Sequence, residues 1–470
     1  MKKFFAILLI LLLSASLLVA CTDNDDPSNT STNSDSSGAP DNTSVTTDKY
    51  NYDMTQYVTL ADYISYPFNI SLDAIQAQID SYLMDYATEY VVTKGNDIYV
   101  DIQAYEVKYF TSNDGTQYDV RGEEITELAK TDYLIESIGN GSYEPTLENT
   151  IIGTKIGTRT ALKLTLSSSF GNSSWAGKEV YIYITVKSKE CKASEVALVS
   201  YEGYLLDEEG NRADKFDSSA SAKFFLGTHL AIDDFEANII GMLVGETKAF
   251  KATFPNDYYE ESLRGETVEF EVTLKSIYTP PVYNNEFVSA HFDFETTDAF
   301  EKDLKESMVL TEIFDYILNH TGILGYPEKE LQKELKALAD MEESFAASYD
   351  MSLDQYLLQV YGTTREEYVK SNMKSDMIYY SIVKKENIQI KQAHIDAQRQ
   401  ELVEYYTEYY ISDVGLSESQ AKEKAELFVT ELGSEYLYEN ALFDLVDNFL
   451  INNARVTYLD KTYTSVTETK

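Results

Sequence analysis

Four histidines (His229, His291, His320, His394) and two cysteines (Cys21, Cys191) are the soft-ligand chemistry of this 470-residue chain. They are scattered, with no spacing that converges on a metal, so no metal centre is expected on them. Aromatic side chains dominate instead, with 38 tyrosines and 21 phenylalanines. Tyrosine joins an apolar ring to a polar tip. A dense group such as Tyr405, Tyr406, Tyr409 and Tyr410 therefore packs in a core or lines an adaptable binding wall. The 79 Asp+Glu against 38 Lys+Arg leave a formal charge of -41. That balance argues against a nucleic-acid partner, because phosphates need a basic face. It reads either as a soluble, self-repelling surface or as an attraction for basic clients. An apolar content of 43% excludes global disorder. At ~150 residues per domain there is room for about three domains, each with its own core.

The N-terminus carries a different chemistry. Lys2 and Lys3 precede an apolar run from Phe4 to Leu13, and Leu18-Val19-Ala20-Cys21 stands where small residues mark cleavage. The run is short for a transmembrane anchor and ends at a cysteine followed by Thr22-Asp23-Asn24-Asp25-Asp26. This pattern resembles a bacterial lipoprotein signal. The resemblance implies loss of residues 1–20, lipidation of Cys21 and a place on the extracytoplasmic face of the cell membrane. Stable anchoring takes more than one acyl chain. Cys191 would then be the one remaining thiol, so no intrachain disulfide forms. Residues 21–48, mostly Ser, Thr, Asn and Asp, read as a flexible tether.

Residues 49–94 read as an N-terminal helix segment. Ser71 caps a stripe of Leu72, Ile75, Ile79, Tyr82, Leu83, Tyr86 and Tyr90, and Gly95 closes it. An internal repeat follows. Ile151-Ile152-Gly153 with Gly157 recurs as Ile239-Ile240-Gly241 with Gly245, an offset of 88. The same offset pairs Gly139 with Gly227, Glu148 with Glu236 and Gly177 with Gly265, so that 15 of the 50 positions 139–188 are identical. Glycines at one register imply a shared backbone geometry. Two tandem domains are expected, 95–192 and 193–282. Each ends in an alternating strand, 180–184 or 268–272, and each carries a short helix at 146–152 or 234–240. After Pro280-Pro281 the pattern is helical through residue 456, within a domain spanning 283–470. Capping boxes stand at Ser352/Gln355, Thr364/Glu367 and Ser417/Gln420.

The second repeat resembles the FKBP family of peptidyl-prolyl isomerases, in its trigger-factor branch. The resemblance rests on Val199-Ser200-Tyr201-Glu202-Gly203, Lys215-Phe216-Asp217-Ser218-Ser219, Phe225-Leu226-Gly227, Phe235-Glu236, Gly241 with Gly245, Phe254-Pro255-Asn256-Asp257-Tyr258 and Phe270. The helical region is similar to the trigger-factor chaperone domain, notably at 352–357 and 440–444. The implied fold class is α+β: two tandem FKBP-like antiparallel half-barrels, the second intact and the first degenerate, then an all-α chaperone domain. The resemblance also implies an apolar pocket for a proline ring. Its floor would be Phe235 and its walls Tyr201, Phe216, Ile232 and Phe270, with Asp217 beside it and Tyr258 or Tyr259 at the rim. Ala222 stands where many members have an aromatic, and the loop after Pro255 is short, so a wider pocket with a reduced flap is expected.

The reaction so implied needs no nucleophile, acid, metal or cofactor. Rotation about a peptide bond costs ~18–20 kcal/mol because resonance is lost. The twisted amide is less polar than the planar one, so a dry aromatic pocket favours it, and a tenfold rate gain needs only ~1.4 kcal/mol. The first repeat departs from the pattern. Ile102, Leu147 and Ile182 replace aromatics, and Glu144 stands where the pocket isoleucine belongs. A carboxylate there makes the pocket costly to dry. The offset also changes from 99 at Ile102/Tyr201 to 88 beyond Gly139, an insertion of about eleven residues within 106–138. The first copy is expected to be inactive, a spacer or client surface. No Lys or Arg lies between Lys49 and Lys94. Ribosome docking through a basic loop, as in trigger factors, is therefore not expected. The reading is a lipid-anchored foldase for unfolded, proline-containing clients. Its alternatives are a holdase with a decayed isomerase site and a solute-binding or adhesive lipoprotein.

Overall fold

The structure is a computed structural model that describes residues 43–459, except 169, 341 and 343–350. The signal sequence expected over 1–20, Cys21 and most of the tether expected over 21–48 lie outside the described residues. The chain forms two compact units. One holds residues 76–287; the other joins the segment up to Ile75 with everything from Val288 onward. Strands concentrate in the first and helices in the second, an α+β chain.

The 76–287 unit contains two antiparallel sheets. In the first, the order is Gln117–Glu124, Ile98–Thr111, Glu179–Ser188 and Arg159–Thr165, with Lys130–Ile135 also on Ile98–Thr111. In the second it is Arg212–Phe225, Val196–Leu206, Thr267–Thr279 and Thr247–Thr253, with Thr88–Glu89 on the end of Thr267–Thr279. The strands form because their apolar residues alternate. Val180, Ile182, Ile184 and Val186 are buried in one sheet, and Val268, Phe270, Val272 and Leu274 in the other. The short helices are Pro145–Ile151 and Asp233–Ile239.

The duplication holds at the level of single hydrogen bonds. Gly157 N–H donates to Val186 O and Gly245 N–H to Leu274 O, both at 2.7 Å. Gly153 N–H donates to Val92 O and Gly241 N–H to Cys191 O, both at 2.8 Å. Gly157 and Gly245 have φ of 85° and 89°, a conformation open to glycine. The copies differ at the sheet edge. The second has one strand, Arg212–Phe225, where the first has two, Gln117–Glu124 and Lys130–Ile135. The extra residues of the first copy build this divided edge.

The other unit is mainly helical: Thr297–His320, Glu328–Asp340, Leu353–Tyr361, Arg365–Lys385, Gln392–Ser412 and Glu418–Asn453. The capping boxes at Ser352/Gln355 and Thr364/Glu367 close in both directions, and at Ser417 the Gln420 side chain accepts the Ser417 amide at 3.3 Å. Val309, Ile313, Ile317, Met377, Ile378, Leu442, Val446 and Leu450 are buried along the helices. Of the tyrosine group, Tyr410 is buried and Tyr406 packs on Phe428 at 4.5 Å, while Tyr409 stays exposed. Helix gives way at Asn453, short of 456, because Arg455–Leu459 pairs in parallel with Pro67–Ser71. The 49–94 segment is divided between the two units, inside the helix Leu72–Asp85. That helix stops at Asp85, so Tyr86 and Tyr90 lie beyond the stripe. Thr88–Glu89 is recruited as a strand, and Tyr90 is buried with the repeats.

Candidate active site

The two central strands of the second repeat set the site. Phe270 lies opposite Gly203 across the ladder, and Asp217 lies opposite Gly203 on its other side. A Cβ on Gly203 would stand 2.9 Å from carbons of both the Phe216 and Phe270 rings. Glycine here is what lets those rings meet, with centroids 5.9 Å apart. The helix Asp233–Ile239 brings Phe235 beneath them, 3% exposed. Its ring lies edge-on to Phe270 at 4.9 Å and to Tyr201 at 5.8 Å, and tilted against Phe224 at 4.8 Å. Such edge-to-face rings fill space with favourable quadrupole contacts.

Above this floor is a cavity of about 420 Å³. Tyr201, Phe216, Asp217, Ile232, Phe235, Tyr258 and Phe270, the residues singled out from the sequence, all line it. So do Phe224, Leu230, Ala231, Phe254, Tyr259 and Leu263. Ala222 is not among the lining residues; the ring it lacks is supplied by Phe224, two positions on. The loop after Pro255 is closed by Phe254 N–H donating to Glu266 O at 3.0 Å. Arg264 Nε donates to Tyr258 O at 2.6 Å within it. Though short, this loop carries Tyr258, Tyr259 and Leu263 to the mouth, where Tyr259 is 81% exposed.

Two polar contacts hold the walls. The Tyr201 hydroxyl donates to Asp217 Oδ2 at 2.8 Å. Burial, and then this carboxylate, push the Tyr201 phenol up to about 12. Burial likewise raises Tyr258, with Tyr259 adding to it. Neither ring ionises near neutrality, so the pocket presents one neutral hydrogen-bonded tyrosine and one carboxylate among apolar rings. Glu236, buried, accepts from Gly227 N–H at 2.7 Å and Ala231 N–H at 2.9 Å, fixing the wall segment that ends in Ile232. Its identity with Glu148 across the repeat was the sequence signal for that role. Phe224 had no comparable signal, because its neighbour Phe225 points to the other face.

At the equivalent place the first repeat has Ile182, buried, with Ile102 and Leu147 partly buried. Glu144 heads the helix Pro145–Ile151 without capping it. No aromatic side chain stands at these positions.

Residues 187–275 match the family described as FKBP-type peptidyl-prolyl cis-trans isomerase. The trigger factor of Carboxydothermus hydrogenoformans is 26% identical over 279 residues, covering 55% of this chain and 64% of that protein. That of Clostridium botulinum is 27% identical over 235 residues, 45% of this chain and 53% of that protein. The chain is similar to trigger factors and carries an FKBP-type domain. The matches thus span between 53% and 64% of these relatives' own length. A solved structure described as "Promiscuous Substrate Recognition in Folding and Assembly Activities of the Trigger Factor Chaperone" aligns with 14% identity and a TM-score of 0.18, covering 58% of this chain and 75% of that one.

Proposed function

We propose that this trigger factor-like chain is a membrane-anchored, extracytoplasmic foldase. The second repeat isomerises X-Pro peptide bonds, the helical unit holds unfolded exported polypeptides, and Cys21 carries the lipid. The observation that carries the isomerase reading is the aromatic cavity over Phe235, within the segment that matches the FKBP-type family. In this reading the sheet of the second repeat curls as a half-barrel on its helix. A prolyl ring sits on Phe235 between Phe216, Phe270 and Ile232. The preceding carbonyl turns in the space beside Tyr201 and Asp217. The apolar walls disfavour the polar planar amide relative to the twisted one, which is transition-state complementarity without a covalent step. The first repeat, with Ile102, Leu147 and Ile182 for rings and Glu144 in place of Ile232, has no isomerase activity.

The competing reading, a holdase with a decayed site, rests on Ala222 and on the short loop after Pro255. Phe224 against Phe235 supports an intact cradle instead. A protease-coupled proline-isomerisation assay on the full chain tests the choice. Tyr201→Ala and Phe235→Leu are each expected to lower kcat/KM at least about tenfold, ~1.4 kcal/mol of transition-state stabilisation. Unchanged rates in both variants, with circular dichroism showing them folded, would overturn the isomerase reading and leave the holdase and the solute-binding or adhesive lipoprotein. Membrane fractionation of wild type against Cys21→Ser tests the anchor; a wild type found wholly in the soluble fraction overturns it.

A further inference from the structure

We propose that the hairpin of the first repeat is a docking edge for an extended, positively charged polypeptide, which adds to it as a further strand. The hairpin consists of Ile98–Thr111 and Gln117–Glu124. Gln117–Glu124 is the end strand of its sheet, and among the described residues nothing pairs with its outer edge. Proteins usually blunt such edges with proline, inward-pointing charge or a covering element. This one instead displays rings. Phe110 and Tyr118 face each other across the ladder and stack at 5.6 Å, yet are 51% and 47% exposed. Val120, two residues on from Tyr118 and on the same face, is 43% exposed.

The fold itself does not require these rings. The hairpin of the second repeat turns at Asp207–Asn211 with Glu208 and Glu209 at its tip and no aromatic there. Charge decides the occupant. Residues 105–124 hold the carboxylates Glu106, Asp114, Asp119, Glu123 and Glu124 against Lys108 and Arg121, and Lys163 of Arg159–Thr165 adds one more cation, on Asp119 at 2.5 Å. Lys108 is already paired with Glu123 at 3.1 Å, and Arg121 lies over the Tyr105 ring at 4.6 Å. Glu106 and Glu124 have no ion pair among the described residues. A second copy of this chain would bring the same acidic edge, within a molecule of charge -41, and be repelled. A cationic strand gains main-chain hydrogen bonds along the open edge, ring contacts with Phe110 and Tyr118, and complementary charge.

The test uses the full chain and a fluorescein-labelled, proline-free dodecapeptide alternating Lys with Val and Tyr, beside a counterpart with Glu for Lys. Anisotropy should show the cationic peptide binding. The double variant Phe110→Ser/Tyr118→Ser should weaken it at least tenfold, as should raising salt from about 0.05 to about 0.5 M. Amide exchange over 117–124 should slow when the peptide is present. Phe235→Leu should bind it unchanged, so loss of the isomerase reading would leave this one standing. Equal affinity for the acidic peptide overturns the proposal. So does unaltered binding by a folded hairpin variant, and so does slowed exchange at 117–124 that follows protein concentration without peptide, which would mark self-pairing.

Discussion

Glu236 accepts the Gly227 amide at 2.7 Å from a side chain only 3% exposed. Through that contact the helix beneath the pocket and the loop above it become one piece. Its second oxygen takes Ala231, so a single carboxylate positions the wall that delivers Ile232. Glu148, at the same place in the first repeat, is also buried but among the described residues its carboxylate accepts only from Tyr143 N–H, at 3.4 Å. We expect Glu236→Gln to turn an NH2 group toward amide donors and to cost about 2 kcal/mol for the buried group left unsatisfied. Urea unfolding checks this; an unshifted midpoint would show that the wall holds itself.

Gly203→Ala is expected to be worse than a normal strand substitution, which would tolerate a methyl. The new Cβ would meet Phe216 and Phe270 ring carbons at 2.9 Å, where those two walls of the cavity meet. Overpacking of this kind costs about 1–3 kcal/mol and moves rings off their rotamers. Both stability and the proposed isomerase activity should fall. Retained activity with retained stability would mean that the two rings can separate freely.

Within the helical unit Lys49 donates to Asp376 at 3.0 Å and Glu439 at 2.6 Å, with Glu334 at 4.0 Å. Burial pushes the Asp376 and Glu439 carboxyls above the usual carboxylate range, although Lys49 pulls both down. Burial opposes the Lys49 charge, but the two carboxylates outweigh it and raise the lysine. Carboxyls raised in the folded state contribute stability that is full below their unfolded values and lost as pH rises through the raised ones. The raised lysine contributes throughout the neutral range. Lys49→Met should therefore destabilise by about 3 kcal/mol at pH 7, the low end for an orphaned buried charge because Asp376 keeps 27% of its exposure. The deficit should shrink as acid protonates Asp376 and Glu439. Urea midpoints at pH 7 and pH 5 measure it; an equal loss at both removes the electrostatic account.

Cys191 is 1% exposed, and burial, with Glu195 adding to it, pushes its thiol up to about 12. Its N–H donates to Met242 O and its carbonyl accepts from Gly241, so the linker between the repeats is tied to the second repeat and buried in the core the two share. A thiol reagent at pH 8 should leave Cys191 unmodified in the folded chain and react after denaturation. Rapid labelling in native buffer would show the linker opening by itself.

The duplication, the strand-rich and helical regions and most of the pocket could be read from residue order. Each rests on short-range physics. Alternation at period two places Val268, Phe270 and Val272 on one face. A glycine such as Gly245 marks a positive φ, and Ser352 with Gln355 closes a capping box within one turn. Five residues that line the cavity were legible for a related reason: Tyr201, Phe216, Asp217, Phe235 and Phe270 occur in an ordered set.

The tertiary structure alone decided what depends on pairing between distant segments. It seats Phe224 rather than Ala222 in the lining, two residues further along the same strand, where the ring reaches Phe235 on the helix. It ends the stripe at Asp85, since Thr88–Glu89 finds a partner in Tyr278 and Thr279. It places Arg455 and Val456, expected as the end of the helix, in a strand beside Pro67 and Phe68. Sequence records the local preference of each segment. Which edge a strand meets depends on the packing free energy of the whole unit, and that overrides propensity where the two conflict.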